Sequence, residues 1–278
     1  MRTLVHLSDM HFGRVDRRVV SPLVHTIRGI STDLLAVSGD LTQRARRSQF
    51  VQARDFLKQL PFRQIVVPGN HDVPLFNLAA RFLSPLEGYC RYITHDLEPL
   101  FQDEEMIVVG LNSARSLPFH GGGRLNKAQV MRAAARLRAA PPDVVRIVVT
   151  HHPFDLPEGR GDQDLIGRSG MAMTELAAVG ADLFLAGHLH LSHIGVTAER
   201  YRIAGHSALV VQAGTLSTRG RGEASSFNVL RLSRPDISVD RYTWDEERQG
   251  FRVSSTSRFR RTPAGWQAQP ETNDLPLR

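Results

Sequence analysis

The sequence predicts an α/β fold, and three observations carry this prediction. Six apolar runs of strand length recur between Leu4 and Gly187, and amphipathic helical patterns lie between several of them. From Ala208 onward, short strand-like runs follow one another and are joined by turns. Alternating strands and helices are typical of an α/β sheet. The β-rich C-terminal part indicates a second sheet that packs on the first.

Each of the six apolar runs is followed directly by a polar side chain that can bind metal. The runs cover residues 4–8, 34–39, 65–69, 106–111, 144–150 and 183–187. The side chains that follow them are Asp9, Asp40, Asn70, Asn112, His151 and His188. Continuous β-branched runs of this length are typical of buried strands. Polar residues just beyond the strand ends predict a site along one edge of the sheet.

Three helices follow from apolar spacing. The shared apolar faces are Val20, Leu23, Ile27 and Ile30 in the first, Phe50, Ala53, Leu57 and Leu60 in the second, and Val130, Ala134 and Leu137 in the third. Asn126 is the expected N-cap of the third helix. The C-terminal strand-like runs are 210–211, 227–230, 237–242 and 251–253.

Domain organisation follows from the same patterns. We expect one catalytic domain over residues 1–253, within which the aromatic and basic segment 74–100 is a candidate cap or lid. Segments of this length without periodicity are often binding loops. Residues 254–278, rich in Arg, Pro, Thr and Gln, are expected to form a basic, loosely ordered tail.

Composition excludes several classes of protein. The single cysteine, Cys90, excludes an internal disulfide framework and a cysteine-based zinc site. A chain of 278 residues can bury a sufficient core without a metal staple, so metal ligands need another reason. No secretion signal and no apolar run of membrane-spanning length is found, and a cytoplasmic location is expected. The net charge of +7, nearly all from arginine, favours an anionic partner.

The motifs differ in how surprising they are. Asp9-Met10-His11 has a chance expectation of about 0.7 in such a composition, and His188-Leu189-His190 has one of about 0.5. Gly69-Asn70-His71-Asp72 has a chance expectation of only about 0.001. The recurrence of such motifs, each after a strand-like run, therefore indicates a functional cluster of side chains.

The spacing has a physical reason. Residues two apart on an extended segment point to the same side, so each of the two short motifs can present two ligands to one point. Asp40 has two oxygens that can bridge two cations, while Asn70 and His151 add an amide oxygen and an imidazole. Seven ligands are too many for one tetrahedral zinc and suit two metals that share a bridge. Mixed nitrogen and oxygen ligation without thiolate favours manganese, iron, zinc, cobalt or nickel.

Two further histidines are expected to have other roles. His6 lies within the first strand pattern and is predicted to be a packed core residue. His152 follows His151 directly, so on an extended segment its side chain would point the other way, and a supporting or structural role is expected.

Taken in order, Asp-x-His, Gly-Asp, Gly-Asn-His-Asp, His and Gly-His-x-His resemble the motifs of the calcineurin-like metallophosphoesterase superfamily. Segments 7–13 and 39–42 are most similar to its class III cyclic-nucleotide phosphodiesterase branch. The resemblance implies a two-sheet β-sandwich flanked by helices, the αββα metallophosphoesterase fold. It also implies two divalent metal ions, manganese or iron first, with zinc, cobalt or nickel as alternatives.

The resemblance also assigns roles to residues. The first metal would take Asp9, His11, Asp40 and His190, and the second would take Asp40, Asn70, His151 and His188. His71 would be the catalytic acid that assists the leaving group. By their position alone, Arg14 just after the first motif, and Asn112 and Arg115 after the 106–111 run, are candidates for contacts with substrate oxygens. One departure concerns Gln43-Arg44, where many members carry a further acidic residue or histidine, and it leaves the substrate open.

The predicted activity is hydrolysis of a phosphodiester by in-line attack of a metal-bound hydroxide on a small phosphorylated substrate, with a cyclic nucleotide as the leading candidate. One alternative is a diphosphate hydrolase that acts on a nucleotide-sugar lipid, which the 74–100 segment could serve. Another is a nuclease, because residues 258–261 resemble a nucleic-acid-binding arm; nucleic acid is nevertheless the less favoured partner. A non-catalytic scaffold is the remaining alternative. The oligomeric state is left open by the sequence.

Overall fold

The strands of the protein form two sheets in a computed structural model, which describes residues 1–117, 122–157, 161–197, 200–201, 207–263 and 265–270. The strands are β1 (Arg2–Leu7), β2 (Leu34–Val37), β3 (Arg63–Val66), β4 (Leu100–Gln102), β5 (Met106–Gly110), β6 (Val145–Val149), β7 (Leu183–Ala186), β8 (His193–Val196), β9 (Leu209–Gln212), β10 (Ser226–Ser233), β11 (Asp236–Asp245), β12 (Gly250–Thr262) and β13 (Gly265–Ala268). The first sheet has the order β13-β12-β11-β10-β1-β2-β3, and the second has the order β4-β5-β6-β7-β9-β8.

The helices cover the outer faces of both sheets. They are α1 (Arg17–Arg28), α2 (Arg47–Leu57), α3 (Leu78–Leu83), α4 (Glu87–Tyr92), α5 (Lys127–Ala139) and α6 (Ser169–Ala177). The Asn126 side chain accepts a hydrogen bond from the Gln129 N–H, so the predicted N-cap of α5 is confirmed. Within the described residues, no helix combines the length and apolarity needed to cross a membrane.

The core has three layers of buried side chains because both faces of each sheet are covered. Leu4 and Ile147 belong to the layer between the two sheets. Val5, the next residue of β1, belongs instead to the layer under α1 and α2. Val130 of α5 belongs to the third layer, on the outer face of the second sheet. The predicted α/β sandwich with flanking helices is therefore confirmed.

Parallel pairing brings the polar strand ends to one place. Strands β1, β2 and β3 run parallel in the first sheet, and β5, β6, β7 and β9 run parallel in the second. The turns that follow β1 and β2 are tied by hydrogen bonds from the Asp9 N–H to the Gly39 carbonyl, 3.1 Å, and from the His11 N–H to the Asp40 carbonyl, 2.9 Å. The carboxyl ends of parallel strands thus form one edge, as expected for this class of fold.

The predicted C-terminal tail is wrong for residues 254–263 and 265–270. Strand β12 continues to Thr262, pairs with β11 as far as Arg260 and pairs with β13 from Phe259 to Thr262. Phe259 is buried, Arg260 donates to Asp236 at 2.7 Å, and Arg261 donates to Asp182 at 2.5 Å. The arginine-rich run therefore alternates a core side chain with paired charges, which the composition alone did not reveal. Residues 271–278 lie outside the described residues.

The segment over residues 74–100 contains two short helices, α3 and α4, although its sequence lacks strong periodicity. Two aromatic contacts attach α4 to the first sheet and to α2. Tyr89 donates its hydroxyl to the Val66 carbonyl at 2.9 Å, and Tyr92 stacks on Phe50. The segment thus has a packed base, and its role as a substrate cap stays a prediction.

Candidate metal centre

The turns after the strands hold the predicted ligands in an unusual backbone conformation. Asp9, His11 and Asp40 have φ angles of 53°, 48° and 52°, and His188 and His190 have φ angles of 73° and 58°. Residues other than glycine rarely adopt this left-handed backbone conformation. Backbone strain of this kind concentrates at functional sites. The extended geometry predicted for the two short motifs is therefore wrong. Tight left-handed turns, rather than strand alternation, aim both ligands of each motif at the site.

Glycines before two of these ligands allow the turns to approach each other. Gly39 has a φ angle of 91°, and a side chain there would lie 2.8 Å from the Gly69 backbone nitrogen. At Gly187 a side chain would overlap Ser8 and the Asp9 carboxylate. The glycines of Gly39-Asp40 and Gly187-His188 thus serve close backbone approach.

The first group of ligands is fully enclosed. The His11 and His190 Nε2 atoms lie 2.9 Å apart, and Asp9 Oδ1 lies 3.2 Å from His190 Nε2. Asp40 Oδ2 lies 3.6 Å from His11 Nε2. Asp9 Oδ1 is buried and has no hydrogen-bond donor among the described residues. Two carboxylates and two imidazoles that converge on one point form a donor set suited to a divalent cation.

The second group lies directly beside the first. Asn70 Oδ1 lies 2.9 Å from His151 Nε2 and 3.1 Å from His188 Nδ1. The other oxygen of the shared carboxylate, Asp40 Oδ1, lies 3.4 Å from His151 Nε2. The structure therefore brings all seven predicted side chains together, and Asp40 faces both groups with different oxygens.

Outer hydrogen bonds orient several of these side chains. His151 Nδ1 lies 2.8 Å from the Ser38 carbonyl and His190 Nδ1 lies 3.1 Å from the Arg219 carbonyl, so each ring nitrogen donates outward. The Nε2 atoms are thereby left as acceptors that face the site. The His188 backbone N–H donates to Asp9 Oδ2 at 2.9 Å. Such contacts fix the tautomer and the ring angle that a ligand needs.

The electrostatics favour metal-binding forms at Asp9, Asp40 and His188, whereas at His190 burial is outweighed by the Asp9 carboxylate, which raises the pKa. Burial alone would raise the pKa of Asp9, but the His190 and His11 imidazoles hold it well below its usual value. Burial is likewise outweighed at Asp40, where His151 and neighbouring imidazoles lower the pKa. Burial lowers the pKa of His188 to about 3, which keeps its ring neutral. Ionised carboxylates and a neutral imidazole are the required states of metal ligands.

Asp72 is a supporting residue that the sequence analysis did not single out. Its carboxylate accepts hydrogen bonds from the N–H groups of Thr42 at 2.9 Å, Gly69 at 3.0 Å and Leu41 at 3.2 Å. It thus joins the turn that carries Asn70 to the turn that follows Asp40. Burial and the charge of Asp40 raise the pKa of Asp72 to about 6 against the effect of these donors. Its position in the rare Gly-Asn-His-Asp motif is the signal that could have identified it.

His71 lies at the rim between the two ligand groups. Its backbone N–H donates to Asp40 Oδ1 at 2.8 Å, and its Nδ1 donates to the Gln43 carbonyl at 2.8 Å. Arg219 Nη1 donates to His71 Nε2 at 3.0 Å. Burial lowers the pKa of His71, although the nearby Asp40 charge opposes this. Arg219 is the principal site neighbour that the sequence analysis missed, because no motif surrounds it.

The remaining predicted residues have separate positions. His6 is buried and bonds to the Ser38 hydroxyl, which confirms its core role. His152 does not point away as predicted, since its ring packs 4.6 Å from that of His188 and its Nδ1 bonds to the Ser113 hydroxyl.

The three residues predicted to contact the substrate have different surroundings. Arg14 lines a cavity beside His71 together with Gln43 and Arg219. Arg115 instead donates to the Ala114 carbonyl at 2.6 Å and to Gln129 Oε1 at 2.8 Å, and Asn112 accepts from the Ala114 N–H at 2.9 Å. These local bonds give no support to substrate binding by Asn112 and Arg115, which stays a prediction.

Comparison with known proteins identifies the class that this fold and site define. The model of the calcineurin-like phosphoesterase family matches residues 2–192, and the chain belongs to this family. The predicted class of enzyme, a metal-dependent phosphoric ester hydrolase, is confirmed. The fold is also that of a dimetal phosphatase from Danio rerio, with a TM-score of 0.63 and 14% identity over 86% of this chain and 95% of that one.

Two curated relatives resemble the sequence more closely. One is the glycerophosphodiester phosphodiesterase GpdQ of Enterobacter lignolyticus, with 28% identity over 217 residues that cover 72% of this chain and 74% of the relative. The other is a probable cyclic nucleotide phosphodiesterase of Synechococcus sp., with 30% identity over 169 residues that cover 59% of this chain and 60% of the relative. Both are consistent with the predicted class III branch.

Proposed function

We propose that the protein hydrolyses phosphodiesters with two divalent metal ions held at the edge of its sandwich. One observation carries the proposal. The two oxygens of Asp40 face different ligand groups, at 3.6 Å from His11 Nε2 and 3.4 Å from His151 Nε2. A carboxylate in this arrangement is suited to bridge two cations, with three further ligands on each side.

Each side chain has a defined task in this proposal. Asp9, His11, Asp40 and His190 would hold the first ion, and Asp40, Asn70, His151 and His188 would hold the second. When bound, such a metal pair supplies Lewis acidity and a hydroxide nucleophile near neutral pH. The chain itself contributes fixed positions, because the ligands lie on tight turns, and exclusion of water, because the first group is buried.

We propose His71 as the catalytic residue that contacts the leaving group. Its ring lies 4.8 Å from the ring of His11, and its Nε2 accepts a hydrogen bond from Arg219. An acid role requires His71 to carry a proton on Nε2, so the bound phosphoryl group must first draw Arg219 away. Arg219 would then donate to the phosphoryl oxygens, a task for which a guanidinium is well suited.

The substrate class is a small phosphodiester, and two relatives suggest the first compounds to test. The probable cyclic nucleotide phosphodiesterase supports the cyclic nucleotide predicted from the sequence. The glycerophosphodiester phosphodiesterase covers more of the chain and supports a second candidate, a glycerophosphodiester. A cytoplasmic location and manganese or iron as the native metals belong to the same proposal.

The deciding experiment is metal reconstitution followed by an activity screen. Protein stripped with a chelator is loaded with Mn²⁺, Fe²⁺, Zn²⁺, Co²⁺ or Ni²⁺ and tested on bis-p-nitrophenyl phosphate, cyclic mononucleotides, glycerophosphodiesters and single-stranded DNA. We expect activity only with metal, at two ions per chain, and on phosphodiesters before monoesters. Equal activity of the stripped protein would contradict the proposal, and preferred cleavage of DNA would favour the nuclease alternative.

A further inference from the structure

A cavity of about 430 Å³ opens beside His71 and is lined largely by arginines. Four of its seven lining residues are Arg14, Arg44, Arg46 and Arg219. The cavity adjoins the metal centre through Arg219, which donates to His71 Nε2 at 3.0 Å and whose carbonyl lies 3.1 Å from His190 Nδ1. A group bound in the cavity would therefore lie next to the reacting phosphate.

The wall of this cavity is held in place by buried polar groups. Gln49 is 8% exposed, and its Oε1 accepts from the Arg44 N–H at 2.9 Å and the Arg46 N–H at 3.4 Å. The Thr42 hydroxyl accepts from the Ala45 N–H at 3.0 Å. Ala45, between the two arginines, has a φ angle of 50°, which a residue with a side chain rarely adopts. The turn that presents Arg44 and Arg46 is thus fixed before any ligand arrives.

The charge of the cavity arginines is only partly offset by carboxylates of the protein, since Asp40 and Asp9 at the metal centre act on Arg219. None of the four arginines forms an ion pair with a carboxylate in the part of the chain that the structure describes. Burial lowers the pKa of Arg219, the carboxylates of Asp40 and Asp9 act to raise it, and the positive charges of Arg44 and Arg221 act to lower it. Arg44 lies over the Phe76 ring, 5.5 Å from its centre. The arrangement concentrates guanidinium groups that repel one another, and an anion placed between them would relieve the repulsion.

The arginines of β12 provide an internal contrast. Arg260 and Arg261 form ion pairs with Asp236 and Asp182. The same chain therefore pairs its arginines where they serve the fold. Arg44 and Arg46 have no such partner among the residues that the structure describes although a fixed turn holds them, which favours a ligand as their partner.

The scissile phosphodiester by itself does not account for this charge. A phosphodiester carries one negative charge, and the metal pair and Arg219 of the proposed function would already hold its oxygens, which leaves Arg14, Arg44 and Arg46 of the cavity. Phosphate monoesters carry additional charge and present oxygens that match the planar fork of arginine. We propose that the cavity binds a second phosphate group of the substrate, so that the substrate is a phosphodiester that also carries a phosphate monoester. This inference rests on the proposed function.

A matched pair of substrates tests the inference. Thymidine 5′-(p-nitrophenyl phosphate) and the same compound with a 3′-phosphate release the same leaving group and differ only in the second phosphate. The metal-loaded full chain is expected to favour the 3′-phosphorylated compound by at least about tenfold in kcat/KM, mainly through KM, since one charge-assisted hydrogen bond has about this effect. Equal kcat/KM values for the two compounds would overturn the inference.

Variants locate the effect in the cavity. Arg44→Ala and Arg46→Ala are each expected to reduce the preference for the 3′-phosphorylated compound by about five- to tenfold. Arg138→Ala on the exposed face of α5 is the matched control, because it removes one guanidinium outside the cavity and should keep the preference unchanged. A preference that survives in both cavity variants, or that falls equally in the control through net charge, would contradict the cavity as the binding site.

Binding of an unreactive probe separates this inference from the proposed function. Calorimetry compares thymidine 3′,5′-bisphosphate with thymidine 5′-monophosphate on the metal-loaded protein. Tighter binding of the bisphosphate that is lost in Arg44→Ala supports the cavity even if no phosphodiester is hydrolysed. Equal binding of both nucleotides overturns the inference and leaves the metal-dependent activity, measured with bis-p-nitrophenyl phosphate, unaffected.

Discussion

The two proposed metal positions differ in charge although the same sheet edge builds both. The first has two carboxylates, Asp9 and Asp40, with two imidazoles. The second shares Asp40 and otherwise has neutral donors, from Asn70, His151 and His188. Because carboxylate charge strengthens binding of a divalent cation, we expect the first position to fill before the second. From this asymmetry in ligand charge we expect a tightly held ion at the first position and a more exchangeable ion at the second.

The largest loss of activity is expected when Asp40, which the two proposed positions share, is replaced. Asp40→Ala should lower phosphodiester hydrolysis by more than about 10³-fold, since both ions lose a ligand. The measurements are initial rates with bis-p-nitrophenyl phosphate and metal content after dialysis. Circular dichroism checks that the variant is folded. Retention of two tightly bound ions would show that Asp40 is not a bridge.

One substitution in each ligand group tests whether the two metal positions are distinct. Asn70→Ala should lose the second ion and keep the first, whereas His190→Ala should weaken the first. Both should reduce hydrolysis by about 10²–10³-fold, because each removes a ligand rather than the bridge. A calorimetric titration with Mn²⁺ measures the affinities of the two positions separately. Identical metal-binding curves for the two variants would contradict distinct positions.

His71 lies between the two positions, and its substitution tests protonation of the leaving group rather than metal binding. His71→Ala should reduce hydrolysis of esters with poor leaving groups by about 10²-fold or more, and p-nitrophenyl esters less, because only poor leaving groups need a proton. The content of metal should stay at two ions. The exposed helix residue His25 provides the matched control, His25→Ala. Equal losses on both kinds of ester would argue against an acid role.

The smallest loss of metal affinity is expected for Asp72, which supports the second position. Asp72→Ala removes the acceptor that ties the Gly69 N–H to the Leu41 and Thr42 N–H groups. Affinity for the second ion should fall by about 10–100-fold, the usual range for a residue that orients a ligand. Rates measured across Mn²⁺ concentrations should recover at high metal. Failure to recover would indicate that Asp72 acts beyond positioning.

Much of the site was predictable because the ligands are local in sequence to strand ends. Apolar runs fixed the strands, parallel pairing implies a common edge, and Gly69-Asn70-His71-Asp72 is too rare to be accidental. The conformation of the turns was not predictable in this way. Asp9 and His11 lie in left-handed turns that depend on hydrogen bonds to the residues after β2, and such distant contacts leave no mark on the motif itself.

The roles of individual arginines were also not predictable from the sequence. Residues 258–261 resemble a basic arm, yet strand pairing buries Phe259 and neutralises Arg260 and Arg261. Arg219 has no motif around it, yet it contacts His71. Whether a guanidinium is paired depends on which carboxylates the fold brings within reach, and that is a property of contacts between distant segments.

The residue types able to bind metal and the strand segments could be predicted from the sequence, because ligand chemistry and apolar periodicity are local properties. The fold set which side chains face each of the two ligand groups, which turns adopt the left-handed backbone conformation and which arginines form ion pairs. Those features arise where segments up to about two hundred residues apart meet, as Asp9 and His188 do, and close approach in space is set by packing rather than by neighbourhood along the chain.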